Sequence, residues 1–241
     1  MSGLLPQAIG YLTKLEALVL DENKFTGPIP VRLFNISSLQ TLSMVENNLW
    51  GNLPSTLGVM LPNLEDLFIG GNRLSGMILT SISNASSLVD LDVGSNQFTG
   101  PIPHSLGGLR FLEVLALGDN SFSYESHSGE LSFLTSLSNC RYLKQLWLSL
   151  NPLNGFLPIS IGNLSSTLES FYLDNSRIIG HIPSSIGNLS NLADLNLSGN
   201  ALEGTIPRTI GGLLNLQRVE LGYNKIEGPF PRQFCHLFNL G

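Results

Sequence analysis

The apolar positions of the chain recur with a period of about 24 residues. Residues 192–216 read LADLNLSGNALEGTIPRTIGGLLNL, with leucine at places one, four and six and asparagine at place nine. Units of this kind begin at nine leucines separated by 24, 25, 24, 24, 31, 25, 24 and 24 residues. Such self-similarity is typical of a solenoid in which each unit forms one turn. The nine leucines are Leu15, Leu39, Leu64, Leu88, Leu112, Leu143, Leu168, Leu192 and Leu216.

Places one to nine of each unit are called slots 1–9 below. The LxL segment alternates apolar and polar residues, which predicts a short strand with slots 4 and 6 directed inward. Stacked turns then pair these strands into one parallel sheet, because a 24-residue connection is long enough for a crossover. Slots 2, 3, 5, 7 and 8 are expected to face solvent.

Slot 9 is asparagine in eight of the nine units, and Ser176 is the exception. An asparagine there can bond to buried amides of the neighbouring turn and form a ladder along the stack. One turn cannot bury its own leucines, whereas nine turns make a continuous core. The pattern predicts an α/β repeat fold: a right-handed leucine-rich-repeat solenoid with a parallel β-sheet on the concave face. Short helical or 3-10 turns would form the convex face, and residues 1–241 would form a single domain of nine full repeats with partial turns at both ends.

One repeat departs from the period. After Asn120 the unit runs to 31 residues and lacks the GxIP motif. We expect an irregular repeat with a protruding loop within residues 121–142, its polar part reaching from Tyr124 to Glu130, followed by a short helix in LSFLTSL. A tolerated insertion and a binding loop are equally consistent with this segment, since surface loops accept extra length at little cost.

The composition and charge of the chain limit the classes of function to consider. The chain is 42% hydrophobic and 12% charged with a net charge of −6, which indicates an ordered, core-forming protein and gives no basis for nucleic-acid binding. Cys140 and Cys235 lie about four turns apart, too far for a disulfide. We see no signal peptide and no apolar run that could span a membrane, so this segment is not expected to contact one. Because the chain begins and ends inside repeats, we expect it to be a segment of a longer protein.

Charge is segregated by face. The outward slots hold 14 of the 18 acidic residues but only 2 of the 12 basic ones, which gives −12 there and +6 on the rest of the chain. A trough of one sign concentrates ligands of the opposite sign, which predicts a basic partner. The alternative is that the carboxylates serve solubility alone. The acids are Glu16, Asp21, Glu22, Glu46, Glu65, Asp66, Asp90, Asp92, Glu113, Asp119, Glu169, Asp174, Asp194 and Glu220.

Slot 5 places Trp147 and Tyr172 on adjacent turns, with their rings expected side by side. Exposed Trp and Tyr often anchor interfaces, although cross-strand packing alone could explain the pair. We therefore predict a ligand-binding surface around them. Its residues are Asp66, Phe68, Asp90, Asp92, Lys144, Gln145, Trp147, Glu169, Tyr172, Asp174, Asp194, Asn196 and Glu220.

The motif GxIPxxIGNLSNLxxLxLSxNxLxG, together with LTSLSNCRYLKQL and NPLNGFLPISIGNLSSTLESF, resembles the ectodomains of plant leucine-rich-repeat receptor kinases, particularly the immune-receptor branch. The resemblance implies an extracellular or cell-surface, glycosylated domain that recognises a peptide or protein, with a membrane span, a kinase and a co-receptor elsewhere. Four of five N-x-Ser/Thr sequons share one place in the repeat, where a glycan can project into solvent. The sequons are at Asn35, Asn84, Asn163, Asn188 and Asn196.

No chemistry-bearing constellation is visible. The four histidines are scattered, and none has a partner at catalytic or metal-ligand spacing. We therefore expect no enzyme activity, no metal and no cofactor. A second hypothesis is an inhibitor of a secreted cell-wall hydrolase, similar to the polygalacturonase-inhibiting proteins. A weaker third is a structural or ice-binding role, which would favour a flat polar face that Phe68, Trp147 and Tyr172 interrupt.

Overall fold

A computed structural model describes residues 1–124, 129–237 and 239. Its largest sheet has nine strands in chain order, all parallel and paired in register by slot. Each strand occupies slots 3–5, so the LxL pattern predicted both the strands and their pairing. The strands are Ala17–Val19, Thr41–Ser43, Asp66–Phe68, Asp90–Asp92, Val114–Ala116, Gln145–Trp147, Ser170–Tyr172, Asp194–Asn196 and Arg218–Glu220.

A second row of strands runs along the edge that follows slot 9. It consists of a six-stranded and a three-stranded parallel sheet. Between the two sheets, at the irregular repeat, Phe156 forms isolated bridges with Glu130 and Ile179. The strands are Ser2–Leu4, Lys24–Gly27, Asn48–Asn52, Arg73–Gly76, Gln97–Pro101, Ser121–Ser123, Ile179–His181, Ala201–Gly204 and Lys225–Ile226.

The return segments are short helices. Seven of the eight 3-10 helices in the described residues have a proline at the N-cap, with φ between −59° and −73°, the range that the proline ring imposes. The irregular repeat contains an α-helix, Ser132–Leu137, within the LSFLTSL segment. Residues 125–128 of the expected loop lie outside the described residues, so its protrusion stays a prediction. The remaining short helices are Gln7–Tyr11, Val31–Asn35, Leu57–Met60 (α), Thr80–Asn84, His104–Gly108, Ile159–Asn163, Ser184–Asn188, Arg208–Gly212 and Arg232–His236.

The leucines of the repeat form one continuous core between the nine-stranded sheet and the return helices. Phe98 and Phe122, from successive turns, stack within it at 6.3 Å between ring centroids. Cys140 is buried in this core, Cys235 is exposed, and both are free thiols, as the spacing predicted.

The asparagine column forms the expected ladder. Asn120 accepts a hydrogen bond from the Phe98 amide and donates to the Val93 carbonyl of the preceding turn. The Ser176 hydroxyl acts only as a donor, to the Leu148 carbonyl of the preceding turn at 3.3 Å and to the Asp174 carbonyl of its own turn at 3.0 Å. In most of the other turns an asparagine at this position accepts a hydrogen bond from an amide of the preceding turn. Here the equivalent amide is that of Leu153, and it donates instead to the Asn151 carbonyl of its own turn.

Candidate functional site

Slot 5 brings Trp147 and Tyr172 together on the outward face of the nine-stranded sheet. The two residues are register partners on neighbouring strands. Their ring centroids lie 6.2 Å apart at an interplanar angle of 65°, an edge-to-face contact. Trp147 remains 40% exposed. The rings thus stabilise each other and still present apolar surface to solvent.

A groove with a volume of about 480 Å³ opens beside this pair. It exists because slot 7 is glycine in three successive turns, at Gly70, Gly94 and Gly118, so the sheet edge lacks side chains there. The floor is main chain, and the walls are carboxylates and the two aromatic rings. The lining residues are Val45, Glu46, Gly70, Gly71, Asp92, Gly94, Ser95, Ala116, Gly118, Asp119, Trp147, Ser149, Leu150 and Tyr172.

Asp92 stands in the middle of the groove. Its carboxylate accepts a hydrogen bond of 2.8 Å from the Gly94 amide. A methyl group built on Gly70 would lie 3.0 Å from the Asp92 carboxylate, so the glycine provides the space for this carboxylate. Desolvation by burial raises the pKa of Asp92, and the Gly94 hydrogen bond only partly opposes that shift. A partly desolvated carboxylate of this kind favours a cationic partner.

Leu150 also lines the groove, and sequence reasoning missed it. It occupies slot 8, where the backbone turns left-handed, with φ 59° at Leu150 and 55° at Tyr223. A left-handed conformation is costly for a side chain with a Cβ. Leu150 is nevertheless 51% exposed, so core packing does not explain it. An apolar residue in a slot otherwise filled by polar, glycine or tyrosine residues was the available signal.

Of the thirteen predicted site residues, Asp92, Trp147 and Tyr172 line the groove. Asp174 adjoins it, because its carboxylate accepts a hydrogen bond from the groove residue Ser149 at 2.5 Å. The groove therefore runs from the second to the seventh turn on the slot 7–8 side. The predicted residues of the last two turns, Asp194, Asn196 and Glu220, continue the same sheet beyond it.

The predicted residues in slots 2 and 3 lie along the opposite edge of the strands, and Phe68 lies beside them in slot 5. Asp66 accepts a hydrogen bond from Thr41, and Asp194 lies 3.8 Å from Arg218. Lys144 forms an ion pair with Glu113, at 2.5 Å. The remaining residues are Phe68 and Gln145, which are half-buried, and Glu169, which is exposed.

Burial and neighbouring carboxylates both act on Asp90 at this edge. Burial, followed by the nearby charges of Asp66 and Glu113, raises the pKa of Asp90. The hydrogen bond to Glu113 raises the pKa of Lys144, which keeps that lysine charged. Burial also raises the pKa of Tyr172, with the Asp194 carboxylate adding to the effect. The carboxylates on this face therefore lie close enough to repel one another, and Lys144 offsets only part of their negative charge.

The sequons fall in two places. Asn35, Asn84, Asn163 and Asn188 are each the last residue of a 3-10 helix and are exposed. Asn196 instead lies in the nine-stranded sheet beside Tyr172, where its side-chain oxygen accepts hydrogen bonds from Ser198. The first four asparagines are accessible for modification on the return side.

Within the part of the chain that the structure describes, no cluster of His, Cys, Asp or Glu has the geometry of a metal site. Across the same residues, every helix is too short or too polar to cross a bilayer.

Family models identify the repeats directly. A leucine-rich-repeat model matches residues 166–226, and a second one matches residues 63–85, 87–109 and 142–164. The chain belongs to the leucine-rich-repeat proteins. This agrees with the observed solenoid of parallel strands and short return helices.

The relatives of this leucine-rich-repeat protein are plant receptors. The LRR receptor-like serine/threonine-protein kinase EFR of Arabidopsis thaliana is 43% identical over 146 residues, which is 61% of this chain and 14% of EFR. The Arabidopsis receptor kinase HAESA, solved with the peptide hormone IDA and the co-receptor SERK1, superposes with a TM-score of 0.88 at 35% identity. That match covers 99% of this chain and 39% of HAESA, so the chain corresponds to a fraction of such receptors.

The same solenoid also occurs outside receptors. A plant ice-binding protein superposes with a TM-score of 0.71 at 25% identity, over 95% of this chain and 79% of that one. Fold alone therefore does not determine what a leucine-rich-repeat protein binds, and the outward side chains must decide.

Proposed function

We propose that this chain is a non-enzymatic recognition module, part of the ectodomain of a plant receptor-like kinase or receptor-like protein. It binds a basic peptide or protein segment along the acidic face of the nine-stranded sheet. The groove at Trp147 and Tyr172 is the central subsite. The kinship with EFR and the likeness to the HAESA ectodomain, which was solved with a peptide hormone, support this assignment.

The observation that carries the proposal is the combination of aromatic anchors with carboxylates of one sign in a single groove. Glu46, Asp92 and Asp119 line it together with Trp147 and Tyr172, and among the described residues no basic side chain does. The glycine floor allows a ligand backbone to approach the sheet closely. A cationic side chain could then reach Asp92 while an apolar neighbour packs on the rings.

The cellular setting follows from the same assignment. The parent protein would hold this domain outside the cell, with glycans at Asn35, Asn84, Asn163 and Asn188 projecting from the return side. Asn196 would remain unmodified, because a glycan there would obstruct the face next to Tyr172. A co-receptor is a further expected partner, as the HAESA complex contains one.

The test uses two synthetic, fluorescein-labelled decapeptides. The basic probe alternates arginine with glycine around a central phenylalanine, and the acidic probe has glutamate in place of each arginine. Fluorescence anisotropy should show binding of the basic probe that weakens as salt is added, since exposed charges are screened. The acidic probe should not bind.

The double variant Trp147→Ala, Tyr172→Ala should lower the affinity for the basic probe by at least about 30-fold, equivalent to roughly 2 kcal/mol for the loss of two aromatic anchors. Trp50→Ala is the matched control, since Trp50 is 53% exposed on the second row of strands. Equal affinity of the double variant and the control, with circular dichroism showing both folded, would rule out the groove.

A further inference from the structure

The edge of the nine-stranded sheet that precedes slot 1 carries a regular polar pattern. In most turns the residue directly before the slot 1 leucine is small and polar, and it bonds back to the preceding turn. Ser38 donates to the Leu15 carbonyl at 2.7 Å, and Asn63 donates to the Ser37 carbonyl at 2.9 Å. Thr167, Asn191 and Asn239 likewise donate to a backbone carbonyl of the preceding turn, and Asn215 donates to the Asn191 side-chain oxygen.

Two adjacent turns break this pattern. Phe111 and Tyr142 occupy the position before slot 1 and are 56% and 53% exposed. Each follows an arginine, at Arg110 and Arg141. Replacing a hydrogen-bonding residue by one of these aromatic residues gives up a contact to the preceding turn and leaves more than half of the residue exposed. Two such replacements side by side are therefore poorly explained by stability, whereas exposed aromatic residues are typical of interfaces.

The two rings border a groove of about 450 Å³, which Val89, Ser87, Glu65 and Glu113 complete. Glu113 is already paired with Lys144. Glu65 is exposed and forms no ion pair with any residue the structure describes. One uncompensated carboxylate beside two aromatic faces is the chemistry that recognises a single cation.

We propose that this edge groove is a second subsite, which takes one lysine or arginine side chain of the ligand. The inference rests on the proposed function, because the same basic ligand would extend from the groove at Trp147 and Tyr172 to this edge of the sheet. Glu65 is the sequence neighbour of Asp66, which faces the trough, so the acidic surface continues over this edge. Arg110 and Arg141 are exposed but do not line the groove, and they disfavour a further cation beyond it.

The sequons support this path. On the return side, Asn84 and Asn163 flank the two turns that carry Phe111 and Tyr142, and no sequon lies between them. Three turn spacings of about 4.8 Å make a gap of roughly 14 Å at the sheet. Between glycans, such a gap accommodates one extended peptide strand but not a globular domain. An extended peptide fits this gap, and the Glu65 carboxylate in the groove favours a basic one.

Two fluorescent reporters test the subsite separately from the main groove. The groove reporter is Trp50→Phe, which leaves Trp147 as the single tryptophan. The edge reporter combines Trp50→Phe, Trp147→Phe and Tyr142→Trp. The basic probe defined above should change the tryptophan emission of both reporters in a saturable manner, and the acidic probe should change neither.

Adding Glu65→Gln to the edge reporter should weaken its response to the basic probe by roughly two- to fivefold, the size of an exposed cation contact. Glu227→Gln is the matched control, because it removes an exposed carboxylate outside both grooves. A silent edge reporter, an equal response to the acidic probe, or no effect of Glu65→Gln would overturn the subsite. An edge response with a silent groove reporter would instead overturn the proposed function and leave the edge subsite standing.

Discussion

The slot 9 column and the slot 5 strip run side by side along the solenoid, yet they follow opposite rules. Slot 9 is asparagine in eight of nine turns. Slot 5 never repeats a residue type in nine turns. Its residues are Val19, Ser43, Phe68, Asp92, Ala116, Trp147, Tyr172, Asn196 and Glu220.

The difference reflects what each position must satisfy. Slot 9 side chains are largely enclosed by backbone groups that need hydrogen-bond partners, and those groups are the same in each turn. Most slot 5 side chains face outward, where the fold imposes no single chemistry. The column therefore maintains the frame, and the strip is free to specify a ligand.

The largest effect is expected in the column. Asn120→Ala removes the acceptor of the Phe98 amide and the donor to three carbonyls. Leaving these buried groups unpaired should cost about 2–4 kcal/mol of unfolding free energy, measured by urea denaturation. Ser176→Ala is the control in the same column, and it should lose only about 1 kcal/mol because Ser176 is a donor alone. Equal losses would show that the ladder is not what holds the turns.

Leu150→Gly should separate stability from binding. The left-handed backbone at φ 59° suits glycine, so the variant should gain about 1 kcal/mol of unfolding free energy. It should also weaken the basic probe severalfold, because it removes an apolar wall of the groove. Tyr223→Gly, at φ 55° and outside the groove, should gain similar stability with unchanged affinity. Unchanged affinity in Leu150→Gly would remove this residue from the site.

At Asp92, too, stability and binding should respond in opposite ways, here because of the charge of the side chain. Because burial raises its pKa in the folded protein, ionised Asp92 disfavours folding at neutral pH, and this penalty disappears as pH falls below the ordinary carboxyl range. Asp92→Asn should therefore not lower the thermal midpoint at pH 7, yet should weaken the basic probe. In the wild type, affinity should fall on acidification as Asp92 and Asp90 take up protons above the pH typical of aspartate. A pH-independent affinity would contradict this assignment.

The smallest effect is expected at Asn196. In protein secreted from plant cells, Asn196→Gln should leave the mass and the affinity for the basic probe unchanged. Substitution of Asn35, Asn84, Asn163 or Asn188 by glutamine should each reduce the mass by one glycan, as measured by mass spectrometry of the intact protein. A glycan at Asn196 would place a bulky group on the proposed binding face and contradict it.

The frame was predictable because repetition encodes it. Leucine spacing predicted the strands and their parallel pairing, and the asparagine column predicted the ladder, with Leu153 explaining why Ser176 is tolerated. The candidate groove was harder to predict, since it exists where side chains are absent. Gly70, Gly94 and Gly118 create the groove by lacking side chains, and a slot pattern gives no measure of that volume.

Two further features depend on residues that depart from the repeat pattern. Leu150 joins the site through a left-handed backbone in slot 8, and Phe111 and Tyr142 border a groove from a position outside slots 1–9. Trp147, Tyr172 and Asp92 line one groove on the face where the sequence predicted them, and the predicted site residues of the last two turns stay a prediction.

Carboxyl footprinting can show whether the basic probe occupies the groove. Carbodiimide coupling of glycine ethyl ester, followed by peptide mass spectrometry, measures the reactivity of individual acids with and without the basic probe. We expect the basic probe to protect Glu46, Asp92 and Asp119 in the groove and to leave Glu203 and Glu227, which lie elsewhere on the surface, unchanged. Protection of Glu203 and Glu227 with the groove acids unchanged would contradict it.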